Sequence, residues 1–405
     1  MTNDRPAGVA IIGGGLAGLA LAVAMAWAGT PCQVYEQATE LAEVGAGIQL
    51  APSATRLLNR FGLRSALQKD AVRPAAMEFR RWEDGSVISR TQLGDACEER
   101  YGAPYYALHR AHLHQALLDA LEPGTVQLGR RCVALTEQAD RVVLHFADGS
   151  SAVADAAVGA DGIHSVLRGA LVADVPRFSG QYVYRGLVDS RSVPFLLDEP
   201  KVLLYPGPGR HFVCYPVSGG ELVNFVATVP AGEGTAESWF EHGRVQDVTA
   251  AYDGWSDEVT AVIGAARSVT RWAVHDRDPI DRWSTSRITL VGDSAHPMLP
   301  FLGQGANQAI EDATVLAMCL RRTTGADIPA ALRRYEELRR DRTALVQERS
   351  RANGRALHLP DGAEQLARDI AMGRGSLEGQ DWLYGYDAQR EALGTTPSPA
   401  GTPRS

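Results

Sequence analysis

The sequence predicts an α/β fold in which a doubly wound parallel sheet carries an inserted, mostly antiparallel β-sheet and a group of C-terminal helices. Two observations predict the parallel part: residues 8–36 give a strand, a glycine-rich turn, a helix and a second strand, and residues 288–312 return to a buried strand and a long helix. A third predicts the insertion, because short apolar runs separated by Gly and Pro turns fill residues 182–272.

These patterns divide the 405 residues into four parts. Residues 1–180 and 276–390 are predicted to form one domain with C-terminal helices, because both show the strand and helix pattern of a parallel sheet. Residues 181–275 are predicted to form the inserted sheet, which would bind the substrate. Residues 391–405 are rich in Thr, Pro, Ser and Gly and predict a disordered tail.

Composition excludes several classes of partner. The chain has 40 basic and 48 acidic residues, a net charge of -8, which argues against a nucleic-acid partner. The longest apolar helical pattern, residues 16–28, is too short to cross a bilayer, so no membrane partner is expected. The five scattered cysteines show no CxxC spacing, which predicts neither a metal site nor disulfides and favours a cytoplasmic protein.

A glycine fingerprint opens the first helix. Gly13, Gly15 and Gly18 have the spacing that gives a tight turn, close approach to a pyrophosphate and close packing of helix on sheet. The pyrophosphate would lie at the positive end of the helix. Glu36 ends the second strand, where a carboxylate can accept hydrogen bonds from a ribose. The alternative is a glycine turn that only packs the helix on the strand.

Three further sites favour a flavin over NAD as the bound dinucleotide. Asp161 and Asp293 each follow an apolar strand, where an Asp can bind the ribityl hydroxyls of a flavin. Residues 303–307 begin a helix whose N-terminus would favour negative charge on the reduced flavin ring. Either Asp alone could equally be a helix cap or a turn residue. Together the three sites favour FAD.

With these motifs the sequence resembles the class A flavoprotein monooxygenases, the FAD-dependent aromatic hydroxylases that include salicylate hydroxylase, 3-hydroxybenzoate 6-hydroxylase and 6-hydroxynicotinate 3-monooxygenase. The resemblance covers about residues 9–387 and rests on residues 13–18 with Glu36, on residues 159–162 and on residues 292–313. It implies a Rossmann-like FAD-binding domain of the GR2 type. Ser294, where Ala is more usual, is a small departure.

The resemblance assigns further residues to the cofactor. Arg110 would reach the FAD, although a surface arginine at a helix start is the alternative. Cys132 falls where the backbone meets the adenosine, and a buried cysteine packed in a strand explains it equally well. The chain has no second fingerprint, so NADH or NADPH would visit a groove as co-substrate, with NADH slightly preferred. The other residues assigned to FAD are Ala17, Gln37, Gly47, Gly303, Gly305, Ala306 and Asn307.

The resemblance also implies the reaction: hydride from NAD(P)H reduces FAD, O2 adds to form a C4a-hydroperoxide, and this hydroxylates a phenolic acid. A phenolate reacts far better than a phenol, so a base near the substrate hydroxyl would help. His211 and Tyr215 lie four apart on a predicted strand, on one face. The resemblance places a catalytic His and Tyr there; the alternative is a strand of aromatics with a satisfied histidine.

Five more residues are candidates for the substrate pocket: Gln49, Tyr184, Arg185, Pro300 and Phe301. Arg185 could pair with a substrate carboxylate or form a surface salt bridge, and both remain open. Pro300 would lie near the site of oxygen transfer, and Phe301 would keep it dry. Relatives acting on hydroxynicotinate carry histidines at the positions of Gln49 and Phe301, so we expect a benzenoid substrate rather than a pyridine.

Two alternatives remain open. One is another FAD-dependent oxidoreductase of the same fold, such as a halogenase or an enzyme acting on a larger natural product; the Trp-x-Trp-x-x-Pro signature of the halogenases is absent. The other is a non-catalytic FAD-binding protein. The ring position attacked, an accompanying decarboxylation and the choice between monomer and homodimer also stay open.

Overall fold

The structure, a computed structural model, describes residues 8–41, 46–232 and 240–395. Within these residues the strands are β1 (Val9–Ile12), β2 (Cys32–Tyr35), β3 (Gly47–Leu50), β4 (Ala76–Arg80), β5 (Val87–Gln92), β6 (Tyr106–His109), β7 (Val126–Gln127), β8 (Cys132–Glu137), β9 (Val142–Phe146), β10 (Ser151–Ala154), β11 (Ala156–Gly159), β12 (Arg177–Asp189), β13 (Lys201–Gly207), β14 (Arg210–Val217), β15 (Leu222–Pro230), β16 (Phe240–Gly243), β17 (Val269–Asp276) and β18 (Ile288–Leu290). The helices are α1 (Leu16–Ala28), α2 (Pro52–Arg60), α3 (Arg64–Asp70), α4 (Gly94–Tyr101), α5 (Arg110–Asp119), α6 (Val166–Gly169), α7 (Val245–Ala251), α8 (Asp257–Gly264), α9 (Gly305–Leu320), α10 (Ile328–Leu357), α11 (Ala363–Gly373), α12 (Asp381–Tyr384) and α13 (Ala388–Ala392).

A five-stranded parallel sheet has the order β18-β11-β1-β2-β7. Its centre, β1, is apolar throughout and fully buried, since helices cover both faces of such a sheet. All five strands run the same way, so the loops that follow β1, β2, β11 and β18 leave at one edge. Gly13, Glu36, Asp161 and Asp293, which are far apart in sequence, therefore meet there, as the predicted α/β fold requires.

The second large sheet has eight strands in the order β16-β17-β12-β15-β14-β13-β4-β5. It is antiparallel except where β13 runs parallel to β4, with Lys201 opposite Ala76. The sheet is therefore not confined to residues 181–275, because β4 and β5 join it from residues 76–92. Nothing in the local pattern of β4 announces this pairing across more than a hundred residues, and the division into domains stays a prediction.

The two faces of the eight-stranded sheet pack against different parts of the protein. Tyr182, Phe212 and Phe225 face a core that α7 and α8 complete. Val183, the neighbour of Tyr182 on β12, packs instead against Phe301, on the side of the parallel sheet. Side chains alternate between the faces of a strand, so the sequence of β12 decides which residues can meet the cofactor domain.

The C-terminal residues are largely helical. Helix α10 alone spans 30 residues, Ile328–Leu357, in agreement with the predicted group of C-terminal helices. Helix α13 extends into the predicted tail at residue 391, and residues 396–405 of that tail lie outside the described residues. In the described part of the chain, none of the helices combines the length and the apolar character needed to cross a membrane.

Candidate active site

The glycine loop after β1 leaves the N-terminus of α1 open. Gly13 has a φ of 110°, and a Cβ on Gly18 would lie 1.9 Å from the carbonyl oxygen of Gly13, so neither position tolerates a side chain. A Cβ on Gly15 would meet nothing within 4 Å. Open space in front of unpaired helix amides is what a pyrophosphate needs, so this loop fits the predicted dinucleotide.

Glu36 holds the same loop from β2. Its Oε2 accepts a hydrogen bond of 2.6 Å from the Gly14 amide, and its Oε1 accepts one of 2.8 Å from the Ala38 amide. From the other side, the imidazole Nε2 of His114 lies 2.9 Å from the Gly14 carbonyl oxygen. Glu36 thus braces the loop, while its contact with a ribose stays a prediction. Gln37 follows as an exposed residue.

Asp161 behaves as the turn residue of the alternative interpretation. Its Oδ2 accepts 2.7 Å from the Val166 amide, and its Oδ1 accepts 3.1 Å from the Ser294 hydroxyl. The same hydroxyl accepts a bond of 2.9 Å from the Gly162 amide. Ser294, the small departure from the family pattern, therefore ties the loop after β11 to the loop after β18. A role of Asp161 toward the ribityl chain stays a prediction.

Asp293 and Arg110 lie close together where the carboxyl edge of the parallel sheet faces Arg185 of the eight-stranded sheet, and this region is called the cleft below. The side chain of Asp293 is open to solvent, yet many protein atoms surround it, and this burial raises the pKa of its carboxyl. The charges of His296 and Arg110 act in the opposite direction, which places Arg110 close to it. Gly303 has a φ of 62° and open space around it. Gly305, at the start of α9, lies beside Asp293 and also leaves space at this side of the cleft. The next residue, Ala306, lies in the first turn of α9.

Three residues predicted to bind the cofactor, Asn307, Cys132 and Gly47, make close contacts with other parts of the protein. The Asn307 amide is fully used: Oδ1 accepts from the Ala51 amide, and Nδ2 donates to the carbonyls of Gln49 and Gly303. Asn307 therefore clamps the end of β3 to the loop before α9. Cys132 donates its thiol to the Ala134 carbonyl and packs in the core, where burial raises its pKa to about 11.

Gly47 is the third of these residues. A Cβ there would lie 2.5 Å from Asn224 Cγ and 2.7 Å from the ring of Tyr215, and its amide donates to Asn224 Oδ1 at 2.7 Å. Gly47 is thus required for the close approach of β3 to the eight-stranded sheet. Ala17 has a similar packing role, because a Cβ on Gly292 would come within 2.9 Å of its methyl group.

A buried ion network lies behind the loop after β18. Asp312 accepts hydrogen bonds from the Gly292 amide at 2.9 Å, from His296 Nε2 at 2.5 Å and from Arg339 Nε at 2.7 Å. Arg339 also contacts Glu311 at 2.8 Å, and all of these side chains are almost fully buried. Despite burial, His296 and Arg339 lower the pKa of Asp312 to about 2. The network fixes the loop that carries Asp293.

Three of the predicted substrate residues, Arg185, His211 and Tyr215, share one face of the eight-stranded sheet. His211 is 3% exposed, and its ring centre lies 5.3 Å from that of Phe301. Burial raises the pKa of Tyr215 to about 12, although the nearby Arg185 guanidinium and Gln49 oppose the shift. Among the described residues, no carboxylate pairs with Arg185, and burial lowers the pKa of its guanidinium.

Tyr184 is not brought to this surface, which corrects its assignment to the pocket. Because it is the neighbour of Arg185 on β12, its side chain points to the opposite face. There it belongs to the core that contains Phe212 and Phe225, and its ring lies against Gly243. Two adjacent residues of one strand cannot both line the same pocket.

The loop with Pro300 and Phe301 is held by α10. Gln347 Nε2 donates to the Pro297 carbonyl at 2.9 Å, Ser350 Oγ to the Leu299 carbonyl at 2.6 Å, and Asn353 Nδ2 to the Phe301 carbonyl at 2.6 Å. The three donors are spaced by three residues and so share one side of the helix. This ladder sets the position of Phe301 beside His211.

Sequence reasoning missed two partners of the predicted residues. The hydroxyl of Tyr105 donates to Gln49 Oε1 at 2.5 Å. The ring of His358 approaches His211, with its Nε2 2.7 Å from His211 Nδ1. His358 follows the last residue of α10, 147 positions beyond His211, so no local pattern links the two.

Comparisons with known proteins identify the family of this chain. The family described as FAD binding domain matches residues 7–350. The chain belongs to the FAD-dependent class A flavoprotein monooxygenases. It is 50% identical over 389 residues to a 3-amino-4-hydroxybenzoate 2-monooxygenase of Streptomyces platensis, covering 96% of this chain and 98% of the relative.

Two further likenesses are similar in extent. A 3-hydroxybenzoate 6-hydroxylase of Polaromonas naphthalenivorans is 35% identical, covering 95% of this chain and 98% of the relative. The structure of a salicylate hydroxylase in complex with its substrate superimposes with a TM-score of 0.82 at 29% identity, covering 98% and 100% of the two chains. These findings confirm the predicted family, α/β fold, FAD cofactor, NAD(P)H co-substrate and enzymatic class of aromatic hydroxylase.

Proposed function

We propose that this enzyme hydroxylates a benzenoid phenolic acid, with 3-amino-4-hydroxybenzoate as the first compound to test. The observation that carries the proposal is the Arg185 guanidinium, which lacks a carboxylate partner within the described residues and lies on the sheet face of His211 and Tyr215. A carboxylate can bind such a fork through two parallel hydrogen bonds. Relatives named for 3-amino-4-hydroxybenzoate, at up to 51% identity, support this substrate class.

The side chains around the cleft would divide the work as follows. Arg185 holds the substrate carboxylate, and Tyr215 donates its hydroxyl to the substrate, since its raised pKa keeps it protonated at neutral pH. Burial lowers the pKa of His211, so its neutral ring can accept the phenolic proton. Phe301 and Pro300 exclude water from the ring position attacked.

The cofactor site is proposed residue by residue. The amides of the loop from Gly13 to Gly18 would hold the pyrophosphate, and Arg110 and Asp293 would contact the rest of the FAD from the cleft wall. The bound FAD supplies the electrons taken from NAD(P)H and the activated oxygen. Gly303 and Gly305 leave room for the flavin ring because neither carries a side chain.

The test is NADH oxidation by the FAD-loaded protein in air, with products identified by mass. We expect 3-amino-4-hydroxybenzoate or a hydroxybenzoate to stimulate oxidation and to gain one oxygen atom. Benzoate without the hydroxyl, and the corresponding phenol without the carboxylate, serve as matched controls and should be poor substrates. Faster turnover of 6-hydroxynicotinate than of every benzenoid acid would contradict the proposal.

Localisation and assembly are proposed more briefly. We place the enzyme in the cytoplasm, because the five cysteines are free. We propose a monomer or a homodimer, which light scattering during gel filtration would distinguish; a larger assembly would contradict this.

A further inference from the structure

His211 has a histidine partner at the end of α10. His358 Nε2 lies 2.7 Å from His211 Nδ1, and the two rings lie end to end, with centres 5.0 Å apart and planes 25° apart. The Thr228 hydroxyl lies 3.3 Å from the same Nδ1 and 3.5 Å from His358 Nε2. In the described part of the chain, His211 Nε2 has no protein partner, so it is the nitrogen left for a ligand.

The pair is enclosed by neighbouring elements. The ring of Phe301 meets both imidazoles edge to face, at 5.3 Å from His211 and 5.4 Å from His358. The amide of Gly209, in the turn between β13 and β14, donates to the His358 carbonyl at 3.0 Å. These contacts fix His358 against the sheet, and it is the more exposed of the two histidines.

A nitrogen-to-nitrogen distance of 2.7 Å requires one proton between the rings, with one nitrogen donating and the other accepting. Burial lowers the pKa of both rings, that of His358 to about 4, so both are neutral at neutral pH. If Nδ1 of His211 carries the proton, its Nε2 has a free lone pair. The partner of one ring nitrogen thus decides whether the other can act as a base.

We propose that His358 is a positioning residue that sets the tautomer of His211 and relays the proton taken from the substrate hydroxyl. This inference rests on the proposed function. The substrate O–H bond breaks as its proton joins His211 Nε2. The Nδ1–H proton of His211 passes to His358 Nε2, and the Nδ1–H proton of His358 passes to water.

The charges balance at each ring. Each imidazole gains one proton and loses one, so neither stores a positive charge in the buried cleft, where a charged ring would be costly. The pair ends in the opposite tautomer, with His358 Nε2–H donating to His211 Nδ1. Return of a proton from water to His358, and from His211 to the product phenolate, restores the starting state.

Chemical rescue tests the relay. We expect His358→Ala in the FAD-loaded enzyme to lower kcat about 100-fold, at the lower end of the effect of acid–base groups, with KM changed by less than about threefold. Imidazole added at millimolar concentration should restore at least a tenth of the wild-type kcat by filling the vacated space. His145→Ala, which removes a half-buried histidine of β9, is the matched control: its kcat should equal that of the wild type and should not change when imidazole is added.

A second variant separates the two parts of the role. The side-chain carbonyl of His358→Gln can still accept the Nδ1–H of His211 but cannot pass a proton on. We expect it to fold with normal FAD content and to remain at least tenfold slow in kcat. Wild-type kcat in His358→Gln, or a slow His358→Ala enzyme that imidazole does not rescue, would overturn the relay.

A third measurement needs no turnover and so separates this inference from the proposed function. In the FAD-loaded protein labelled with 15N-histidine, NMR should show one proton shared between a nitrogen of His211 and a nitrogen of His358, lost in His358→Gln. Failure of every phenolic acid to be hydroxylated would defeat the proposed function while leaving this signal. Absence of the signal would overturn the inference even in an active enzyme.

Discussion

The ion network behind the loop after β18 and the sheet face that carries Arg185 and His211 are both polar and largely buried. They differ in how many of their groups are paired. In the network, Asp312 has three donors and Arg339 contacts two carboxylates. On the sheet face, Arg185 has no carboxylate partner and His211 offers a free Nε2 among the described residues. Paired groups hold the scaffold in place, whereas unpaired ones are available to a ligand.

The largest expected effect comes from breaking the network. Arg339→Met removes the buried cation that Asp312 and Glu311 share, and we expect it to lower the free energy of unfolding by about 3–5 kcal/mol. Urea denaturation would measure the loss in the free energy of unfolding, and the FAD content of the purified variant would show whether the site still forms. Arg340→Ala, one residue on and 41% exposed, is the control and should change stability by less than about 0.5 kcal/mol. A loss below about 1 kcal/mol in Arg339→Met would show that the network is not structural.

The next effect should fall on binding rather than on stability. Arg185→Gln removes the charge proposed for the substrate carboxylate, a bond worth about 1.5–3 kcal/mol, so kcat/KM should fall about 10- to 100-fold, mainly through KM. Arg191→Gln, just beyond the same strand and 85% exposed, should leave the kinetics unchanged. An equal loss for a phenol without a carboxylate would contradict the assignment of Arg185.

A smaller effect is expected where α10 meets the loop. A Cβ on Gly354 would lie 2.4 Å from the Phe301 ring, so Gly354→Ala must displace that ring. Overpacking costs about 1–3 kcal/mol, partly offset by the better helix propensity of Ala, and thermal unfolding should show a net loss near 1 kcal/mol. Gly325→Ala, with no atom within 4 Å, should not destabilise the protein. An unchanged melting temperature in Gly354→Ala would mean that the Phe301 ring can move aside without a loss of stability.

The smallest effect tests the two faces of β12. Tyr184→Phe should change kcat/KM by less than about twofold, because the side chain lies in the core away from the cleft. Tyr215→Phe removes a hydroxyl from the cleft and should lower it more, by about 1 kcal/mol for one hydrogen bond. The reverse order in steady-state kinetics would restore Tyr184 to the pocket.

The sequence predicted which loops meet at the edge of the parallel sheet because the signals are local, while the roles of their residues toward FAD stay predictions. The spacing of Gly13, Gly15 and Gly18 and the Asp that follows each strand depend on turns of a few residues. The edge where they meet follows from the parallel order of the strands. Family membership then followed from the order of the motifs along the chain.

The substrate half was harder because its geometry is non-local. The face that Tyr184 occupies depends on which side of β12 meets the cofactor domain, and a one-residue difference reverses it. His358 reaches His211 only because α10 ends beside the sheet. Gly47 and Asn307 have motif-like positions, but Gly47 ties β3 to the eight-stranded sheet and Asn307 ties the end of β3 to the loop before α9. No pattern within one element carries this information.

The ladder of Gln347, Ser350 and Asn353 on α10 has a consequence for how this enzyme could diversify. Among the described residues, all three side chains donate hydrogen bonds to carbonyl oxygens of the loop and none donates to a side chain. Every residue has a backbone carbonyl, so these hydrogen bonds do not depend on which side chains the loop carries. Met298 or Leu302 can therefore be replaced while the hydrogen bonds that hold the loop are kept. The loop is thus a suitable target for directed evolution of regioselectivity.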